Sequence, residues 1–266
     1  MTNPIDAADN SSAPTPTGRT RPIIAIDGPA GAGKSTLAAH LARRFGFLNL
    51  ETGAMYRALA LKAIQNDVDF DEEEPLLDLA HYTRIRLEPQ IGGNRVLLDE
   101  SDVSQRVREP DVTAAASRVS VHPRLRAWMV EQQRALGSRG GVVMEGRDIG
   151  TAVFPDAEVK IFLDAAPEVR GDRRYRQVMI PREFAQPAAG SAPEMLTAEQ
   201  VAEQQKILAE LKDRDARDRN RAQSPLRPAH DAVIVDSTSL TLEQVLEKAE
   251  QIVHDHLETA SMPKAL

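Results

Sequence analysis

The stretch Pro22–Phe45, PIIAIDGPAGAGKSTLAAHLARRF, decides the fold. Its centre, Gly28–Ser35, fits the phosphate-binding pattern G-x-x-x-x-G-K-[ST] at every fixed position. The apolar run Pro22–Asp27 predicts a buried parallel strand before the pattern, and apolar residues at helical spacing predict a helix over Thr36–Phe45 after it. A strand, a glycine-rich turn and a helix in this order predict a loop that binds the phosphates of a nucleoside triphosphate.

The residue types of this loop suit that chemistry. Its glycines allow several backbone N–H groups to surround phosphates at the positive end of the following helix. Lys34 is expected to reach the β- and γ-phosphates, and the Ser35 hydroxyl is placed to help hold the Mg²⁺ that accompanies them. The strand before and the helix after argue against an ordinary glycine-rich turn. The predicted nucleotide contacts are Gly28, Pro29, Ala30, Gly31, Ala32, Gly33, Lys34, Ser35 and Thr36.

Composition limits the other possibilities. The 266 residues are 41% hydrophobic and 27% charged, contain no cysteine and carry a formal net charge of −7. This length can bury a full core, in one large domain or two small ones. Without cysteine there are no disulfides, thiolate metal sites or cysteine nucleophiles. The negative balance argues against a nucleic-acid polymer as partner, because duplex binding depends on basic patches.

Location and assembly are predicted from what the sequence lacks. No apolar run is long enough to span a bilayer, so we expect no membrane partner. Residues 1–20 lack the apolar centre of a signal peptide and are expected to form a disordered tail, and residues 259–266 a second tail. The cytoplasm is then the expected location. Because no long exposed apolar stripe is evident, we expect a monomer.

Downstream of the loop, short apolar strands alternate with helices. Strands are predicted at 47–50, 142–144, 159–163 and 232–235, and helices at 53–65 and 240–256. Together with the first strand they predict an α/β fold, a five-stranded parallel sheet flanked by helices. Residues 83–107 break the alternation and predict a small antiparallel insert whose hairpin loop contains Gly92, Gly93 and Asn94. Residues 180–198 are rich in Pro, Ala and Ser, which predicts a mobile loop.

Two groups of charged residues lie at helical spacing on either side of that loop. The first contains Arg170, Arg173 and Arg174, and the second contains Arg214, Arg217, Asp218 and Arg221. Two such helices joined by a loop predict a lid, at about residues 168–221, that closes over phosphates and excludes water. Solvated surface ion pairs with neighbouring carboxylates are the alternative explanation.

Several motifs together resemble bacterial cytidylate kinases, within the nucleoside monophosphate kinase superfamily. They are the phosphate loop with Asp27 before it, TGAMYR at Thr52–Arg57, EGRDIGT at Glu145–Thr151, RDARDRNR at Arg214–Arg221, and the antiparallel insert. The resemblance implies one kinase domain at 21–258, made of a core, a monophosphate-binding insert and a lid. It also implies transfer of the γ-phosphoryl group of ATP, with Mg²⁺, to CMP or dCMP.

The resemblance assigns roles to individual charged residues. It places Lys34, Arg173 and Arg214 at the transferring phosphoryl group, Arg57, Arg147 and Arg221 at the monophosphate, and Asp218 at the ribose. Guanidinium groups suit the phosphate positions because they make bidentate contacts. A structural salt bridge is the alternative role for each arginine.

The resemblance places four further residues at the base: Thr52, Ser117, Arg126 and Asp148. Their chemistry suits cytosine. Asp148 can accept from the amino group, whereas Arg126 and Ser117 can donate to the ring nitrogen N3 and the oxygen O2. Uracil would turn its O4 acceptor towards Asp148, and such unpaired buried groups cost roughly 1–3 kcal/mol. A helix hydroxyl and a turn residue are the alternative roles of Ser117 and Asp148.

Some features depart from this family, and other functions stay open. Glu51, Thr52 and Glu145 stand where Asp, Ser and a shorter acid are usual, which changes side-chain reach. Another phosphate-loop kinase, for adenylate, thymidylate or shikimate, is the first alternative, and a nucleotide sensor without turnover is the second. The sequence contains no N-K-x-D motif, which argues against a GTPase switch.

Overall fold

A computed structural model describes residues 19–90, 93–179 and 197–261, with side chains to residue 258. Parts of four predicted segments lie outside these ranges. They are residues 1–18 of the predicted N-terminal tail, Gly92 of the hairpin loop, residues 180–196 of the predicted mobile loop, and residues 262–266 of the C-terminal tail.

Eight strands are present in the described residues. They are β1 (Ile23–Asp27), β2 (Leu48–Glu51), β3 (Ile85–Gln90), β4 (Gly93–Leu98), β5 (Ser101–Asp102), β6 (Val142–Gly146), β7 (Val159–Asp164) and β8 (Val233–Asp236). Five form one parallel sheet in the order β2-β6-β1-β7-β8. The predicted five-stranded sheet is therefore confirmed, with strand ends displaced by at most two residues.

Eight α-helices accompany the strands. They are α1 (Lys34–Phe45), α2 (Thr52–Gln65), α3 (Glu73–His81), α4 (Pro110–Val119), α5 (Pro123–Gly137), α6 (Pro167–Met179), α7 (Ala198–Asn220) and α8 (Leu242–Ser261). The sequence reading did not predict α3 and α5. Over the described part of the chain, no helix combines the length and apolar character needed to cross a membrane.

Strand β1 occupies the centre of the sheet, and all five of its residues are buried. Its side chains alternate between two cores, as the strand period of two requires. Ile23 and Ala25 belong to one core with residues of α2, α4 and α5. Ile24 and Ile26 belong to the other, with residues of α1 and α8. Helices therefore cover both faces, which accounts for the continuous apolar run in the sequence.

The predicted antiparallel insert is also present, as a separate sheet in the order β3-β4-β5. It has a third strand that the sequence reading missed, because β5 is only two residues long. Asn94 attaches the insert to the main sheet. Its side-chain oxygen accepts from the Glu51 N–H at 2.8 Å, and its side-chain nitrogen donates to the Asn49 carbonyl at 2.7 Å.

The strand order reverses at the carboxyl end of β1. The chain passes from β1 to β2 on one side of the sheet and later reaches β7 on the other side. Ligands of open parallel sheets bind at such a reversal of strand order. The phosphate loop follows β1 at this edge, and Arg147 and Asp148 follow the neighbouring strand β6.

Two glycines with left-handed backbone provide a matched test of the packing. Gly140 has φ of +72°, and a Cβ there would lie 1.8 Å from the Arg21 carbonyl oxygen. Gly46 has φ of +65°, and its nearest contact would be 3.9 Å away. We expect Gly46→Ala to lower the free energy of unfolding by about 1–2 kcal/mol, because only the left-handed strain is added. Gly140→Ala should lower it by roughly 1–3 kcal/mol more, because the methyl group also displaces backbone. Urea unfolding measures both, and equal losses would contradict this account of the packing.

Candidate active site at the carboxyl edge of the sheet

The phosphate loop ends in the uncapped N-terminus of α1. Gly33 precedes the helix and supplies no side chain to cap it, and the first turn contains no acidic residue. The first N–H groups of a helix require an acceptor from outside the helix. An anion at this position would satisfy them and would also meet the positive end of the helix dipole.

Lys34 is buried at the base of this loop, and its Nζ donates to the Pro29 carbonyl at 2.7 Å. Burial, and then the positive charges of Arg147 and Arg214, together lower its pKa to about 7, against the opposing effects of Glu145 and Asp27. An ammonium group held under such repulsion suits a site that receives negative charge. The neighbouring Ser35 and Thr36 are exposed.

Asp27 connects the phosphate loop to the EGRDIGT segment. Its carboxylate accepts from the N–H groups of Ile149 at 2.8 Å and Gly150 at 2.7 Å. Burial raises the pKa of Asp27 to about 6, although both hydrogen bonds oppose that change. The residue before the loop therefore fixes the turn that carries Asp148.

Glu145 of β6 pairs in register with Ile26 of the neighbouring strand β1. Burial and then the charge of Glu51 raise the pKa of Glu145, whereas Lys34 and a hydrogen bond with Ser35 lower it. One carboxylate oxygen, Oε1, is buried without a hydrogen-bond partner. Sequence reasoning noted Glu145 only as a departure in length. Its place beside Lys34 and Ser35 makes it a candidate site residue.

The structure brings three of the predicted base contacts into one region. Arg126 of α5 is fully buried and forms an ion pair with Asp148, Nη2 to Oδ2. Its Nη1 donates to the Ser120 carbonyl at 3.1 Å, and the Ser120 hydroxyl donates to the Ser117 carbonyl at 3.2 Å. The Ser117 hydroxyl is itself buried without a partner. The region therefore holds a carboxylate, a guanidinium and an unpaired hydroxyl.

Tyr56 belongs to the same region, although sequence reasoning did not assign it. The Arg126 guanidinium lies 5.4 Å from the centre of the Tyr56 ring. The Tyr56 hydroxyl is buried without a partner, and burial raises its pKa to about 12. The available signal was its position within TGAMYR, directly before Arg57.

The other predicted residues of that motif make contacts within the protein. The Thr52 hydroxyl donates to the Glu145 carbonyl at 2.7 Å, so it connects the start of α2 to β6. The Arg57 guanidinium forms an ion pair with Glu51 at its Oε1. Arg57 is only partly buried, which leaves part of its fork open to a ligand.

A third group gathers around Asp218 of α7. Its Oδ2 accepts from Arg147 Nε at 3.0 Å and its Oδ1 from Arg221 Nη1 at 3.3 Å. Arg214, one turn earlier, has a buried Nε without a partner. Burial and then the charge of Arg147 lower the pKa of Arg214 to about 10, and Arg57 and Arg174 contribute. Arginines from four segments therefore repel one another at this edge, an arrangement that suits a polyanion.

The members of the two arginine groups at helical spacing differ from one another in burial and in contacts. Arg173 donates to the Ala32 carbonyl at 3.3 Å and to the Ser237 hydroxyl and carbonyl at 3.0 and 2.8 Å. Arg170 is fully buried and paired with Asp215. Arg217 is exposed, whereas Asp218 beside it is buried. Helices α6 and α7 pack against each other and against the phosphate loop, so Arg170 is directed into this contact.

Comparison with known proteins identifies relatives of the whole domain. The family model described as Cytidylate kinase matches residues 24–189 and 191–255. The cytidylate kinase of Pelotomaculum thermopropionicum is 48% identical over 227 residues, 85% of this chain and 93% of that protein. The cytidylate kinase of Klebsiella pneumoniae is 43% identical over 239 residues, 90% of this chain and 98% of that protein. Among solved structures, shikimate kinase from Acinetobacter baumannii in complex with shikimate is 16% identical with a TM-score of 0.38, covering 91% of this chain and 96% of that one. By the family match and the two cytidylate kinases, this chain belongs to the cytidylate kinase family.

Proposed function

We propose that the protein transfers the γ-phosphoryl group of ATP to CMP or dCMP, giving ADP and CDP or dCDP. The observation that carries the proposal is the joining of two sites through one residue. Asp27 ends the strand that leads into the phosphate loop, and it holds the turn next to Asp148. A donor site and a cytosine-compatible site therefore meet at one edge of the sheet. Family membership supports the choice of acceptor.

The acceptor requires no side-chain base. Its nucleophile is a phosphate oxygen of the monophosphate, which is largely ionised near neutral pH because its second pKa is about 6. That oxygen forms a bond to the γ-phosphorus while the bond from the γ-phosphorus to the bridging oxygen breaks, and the electron pair leaves with ADP. Catalysis then consists of positioning and charge neutralisation.

The cations at the sheet edge would supply that neutralisation. Lys34 and Arg214 would face the transferring phosphoryl group, since Lys34 is buried, Arg214 is partly buried, and both are under repulsion from Arg147. Arg173 would act beside the phosphate loop, which it already contacts at Ala32.

Three arginines would hold the monophosphate: Arg57, Arg147 and Arg221. A neighbouring carboxylate, Glu51 or Asp218, already orients each of them. A guanidinium has five N–H donors, so a carboxylate on one edge leaves others for phosphate. Asp218 would also accept from the ribose hydroxyls.

The residues beside the loop fit the Mg²⁺ that accompanies ATP. Mg²⁺ prefers oxygen ligands, and the Ser35 hydroxyl lies beside the buried carboxylate of Glu145, one oxygen of which has no partner. We propose that Ser35 and Glu145 hold the ion, directly or through water. When bound, Mg²⁺ neutralises charge on the β- and γ-phosphate oxygens.

The base would be selected by groups that contacts within the protein hold in place. Asp148 would accept from the cytosine amino group, and Arg126 and Ser117 would donate to N3 and O2. The ion pair between Arg126 and Asp148 sets the acceptor and the donor side by side in a buried place. Thr52 would border this place from α2. Uracil reverses two of these positions, so unpaired groups would disfavour UMP.

A coupled ADP-release assay with Mg·ATP tests the function. The acceptors to compare are CMP, dCMP, UMP, AMP, dTMP and shikimate. We expect strong turnover confined to CMP and dCMP, and loss of turnover in Lys34→Ala. Strong turnover with another acceptor would contradict the base site, and ATP binding without turnover on any acceptor would contradict the kinase activity.

The substitution Asp148→Asn tests the base contact. The side-chain amide has one acceptor oxygen where the carboxylate has two, and its NH₂ group can donate to uracil O4. We expect kcat/KM for CMP to fall at least about tenfold more than kcat/KM for UMP, the equivalent of about 1.4 kcal/mol. The ratio of the two acceptors is the measurement, because any loss of folded enzyme affects both equally.

The matched control is Asp71→Asn, which removes an exposed ion pair between Asp71 and Arg118. This variant should keep the wild-type ratio of CMP to UMP. If Asp148→Asn lowers kcat/KM for CMP and for UMP by the same factor, Asp148 supports the fold and does not contact the base.

The lowered pKa of Lys34 predicts proton uptake on nucleotide binding. Near pH 8 the Lys34 side chain is mostly the neutral amine in the free protein, since its pKa is about 7. The phosphates of ATP favour the charged form, so binding should take up a proton and ATP affinity should fall up to about tenfold per pH unit above neutrality. Calorimetry in buffers of different ionisation enthalpy measures the uptake. Lys34→Arg should abolish it, and binding at pH 8 without uptake by the wild type would contradict the assignment.

A further inference from the structure

A buried ion pair joins α6 and α7 to the phosphate loop. Arg170 Nη1 of α6 and Asp215 Oδ2 of α7 lie 2.7 Å apart, and their side chains are 1% and 4% exposed. The same Nη1 donates to the Ala30 carbonyl at 3.0 Å, and Arg170 Nε donates to the Ala165 carbonyl at 2.8 Å. One guanidinium therefore connects both helices with the backbone of the loop.

Stability alone is a poor explanation for this pair. Desolvation offsets much of the attraction between buried charges, and apolar residues of similar volume are often at least as stable. The second oxygen of Asp215, Oδ1, is buried without a hydrogen-bond partner, so its desolvation is not compensated. The protein therefore maintains an unfavourable feature where the two helices meet the loop.

The contact with Ala30 determines the orientation of one peptide group. In a trans peptide, the C=O of Ala30 and the N–H of Gly31 point in opposite directions. When Arg170 holds the carbonyl behind the loop, it turns the Gly31 N–H towards the other side. Phosphate binding by such loops depends on the direction of these N–H groups.

Two more contacts fix the same part of the loop. The Ala30 side chain packs with Tyr175 of α6 and with Ile207 and Leu211 of α7. Gly31 has φ of +75°, and a Cβ there would lie 3.1 Å from the Arg170 carbonyl oxygen, so the loop packs directly on the backbone of α6.

We propose that Arg170 and Asp215 are a positioning pair, which aligns the Ala30–Gly31 peptide with α7. Asp215 directly follows Arg214, so the pair sets the place of that arginine and of the loop N–H groups together. Neither residue of the pair is assigned a contact with substrate. The inference rests on the proposed function, because it takes a nucleoside triphosphate as the ligand of the loop.

The test replaces the pair with apolar residues of similar volume, Arg170→Met together with Asp215→Leu. Mg·ATP and CMP affinities are measured separately by calorimetry, beside the thermal midpoint and turnover. We expect ATP affinity to fall about tenfold or more, equivalent to about 1.4 kcal/mol, and kcat to fall. CMP affinity should stay within about threefold, and the thermal midpoint should change little.

A matched control removes an exposed pair that joins the same helices. Lys212 Nζ and Glu168 Oε1 lie 3.0 Å apart, with side chains 50% and 66% exposed. Lys212→Gln with Glu168→Gln should leave ATP affinity, CMP affinity and kcat unchanged. A fall in ATP affinity equal to that of the buried double variant would overturn the proposal, because any link between α6 and α7 would then suffice.

The proposal is overturned if the buried double variant folds and binds ATP as tightly as the wild type. It is also overturned if ATP and CMP affinities fall by the same factor. If that variant does not fold, Arg170→Lys replaces it, because one ammonium cannot serve both carbonyls and Asp215 as a guanidinium does. Weaker ATP binding at an unchanged thermal midpoint then supports the pair, and unchanged binding overturns it. A wild-type protein that binds ATP without phosphorylating CMP would instead contradict the proposed function.

Discussion

Positively charged side chains, one buried and the others partly buried, lie close together at the carboxyl edge of the sheet. Burial lowers the pKa of both Lys34 and Arg214, the charge of Arg147 lowers both further, and Arg214 also lowers that of Lys34. Such repulsion is unfavourable in the protein alone, and a bound polyanion removes it. Repulsion between these cations therefore favours the binding of phosphate ligands. Ion pairs and hydrogen bonds with other groups of the site hold these cations in place.

Carboxylates provide those attachments and differ in what they do. Asp218 takes Arg147 and Arg221 on its two oxygens, so it orients two cations at once. Asp27 uses both oxygens on backbone N–H groups, so it orients a turn and leaves the cations to others. Both arrangements are made by the protein's own groups. Groups fixed in advance lose little freedom on binding and need little reorganisation during reaction.

The sequence predicted the features that are local, and missed those that depend on packing. The strand, phosphate loop and first helix follow from adjacent residues. Helix α5 was missed although Leu125, Met129 and Val130 carry a helical period, because charged residues interrupt the apolar pattern. The family resemblance placed Arg126 and Asp148 at the base, but their pairing joins α5 to the end of β6 and requires the fold. Spacing alone also could not show that Arg170 turns inwards.

The phosphate loop has two sides, one that presents backbone N–H groups and one that presents carbonyl groups. A loop that directs N–H groups towards a phosphate directs its carbonyl groups the other way, because each peptide is planar and trans. Carbonyl groups so placed need donors. Arg170 serves Ala30 in this way, and Lys34 and Arg173, whose proposed partners are phosphates, also donate to loop carbonyls, at Pro29 and Ala32. Arginine near a phosphate loop is therefore not always a phosphate ligand, because the backbone of the loop competes for the same donors.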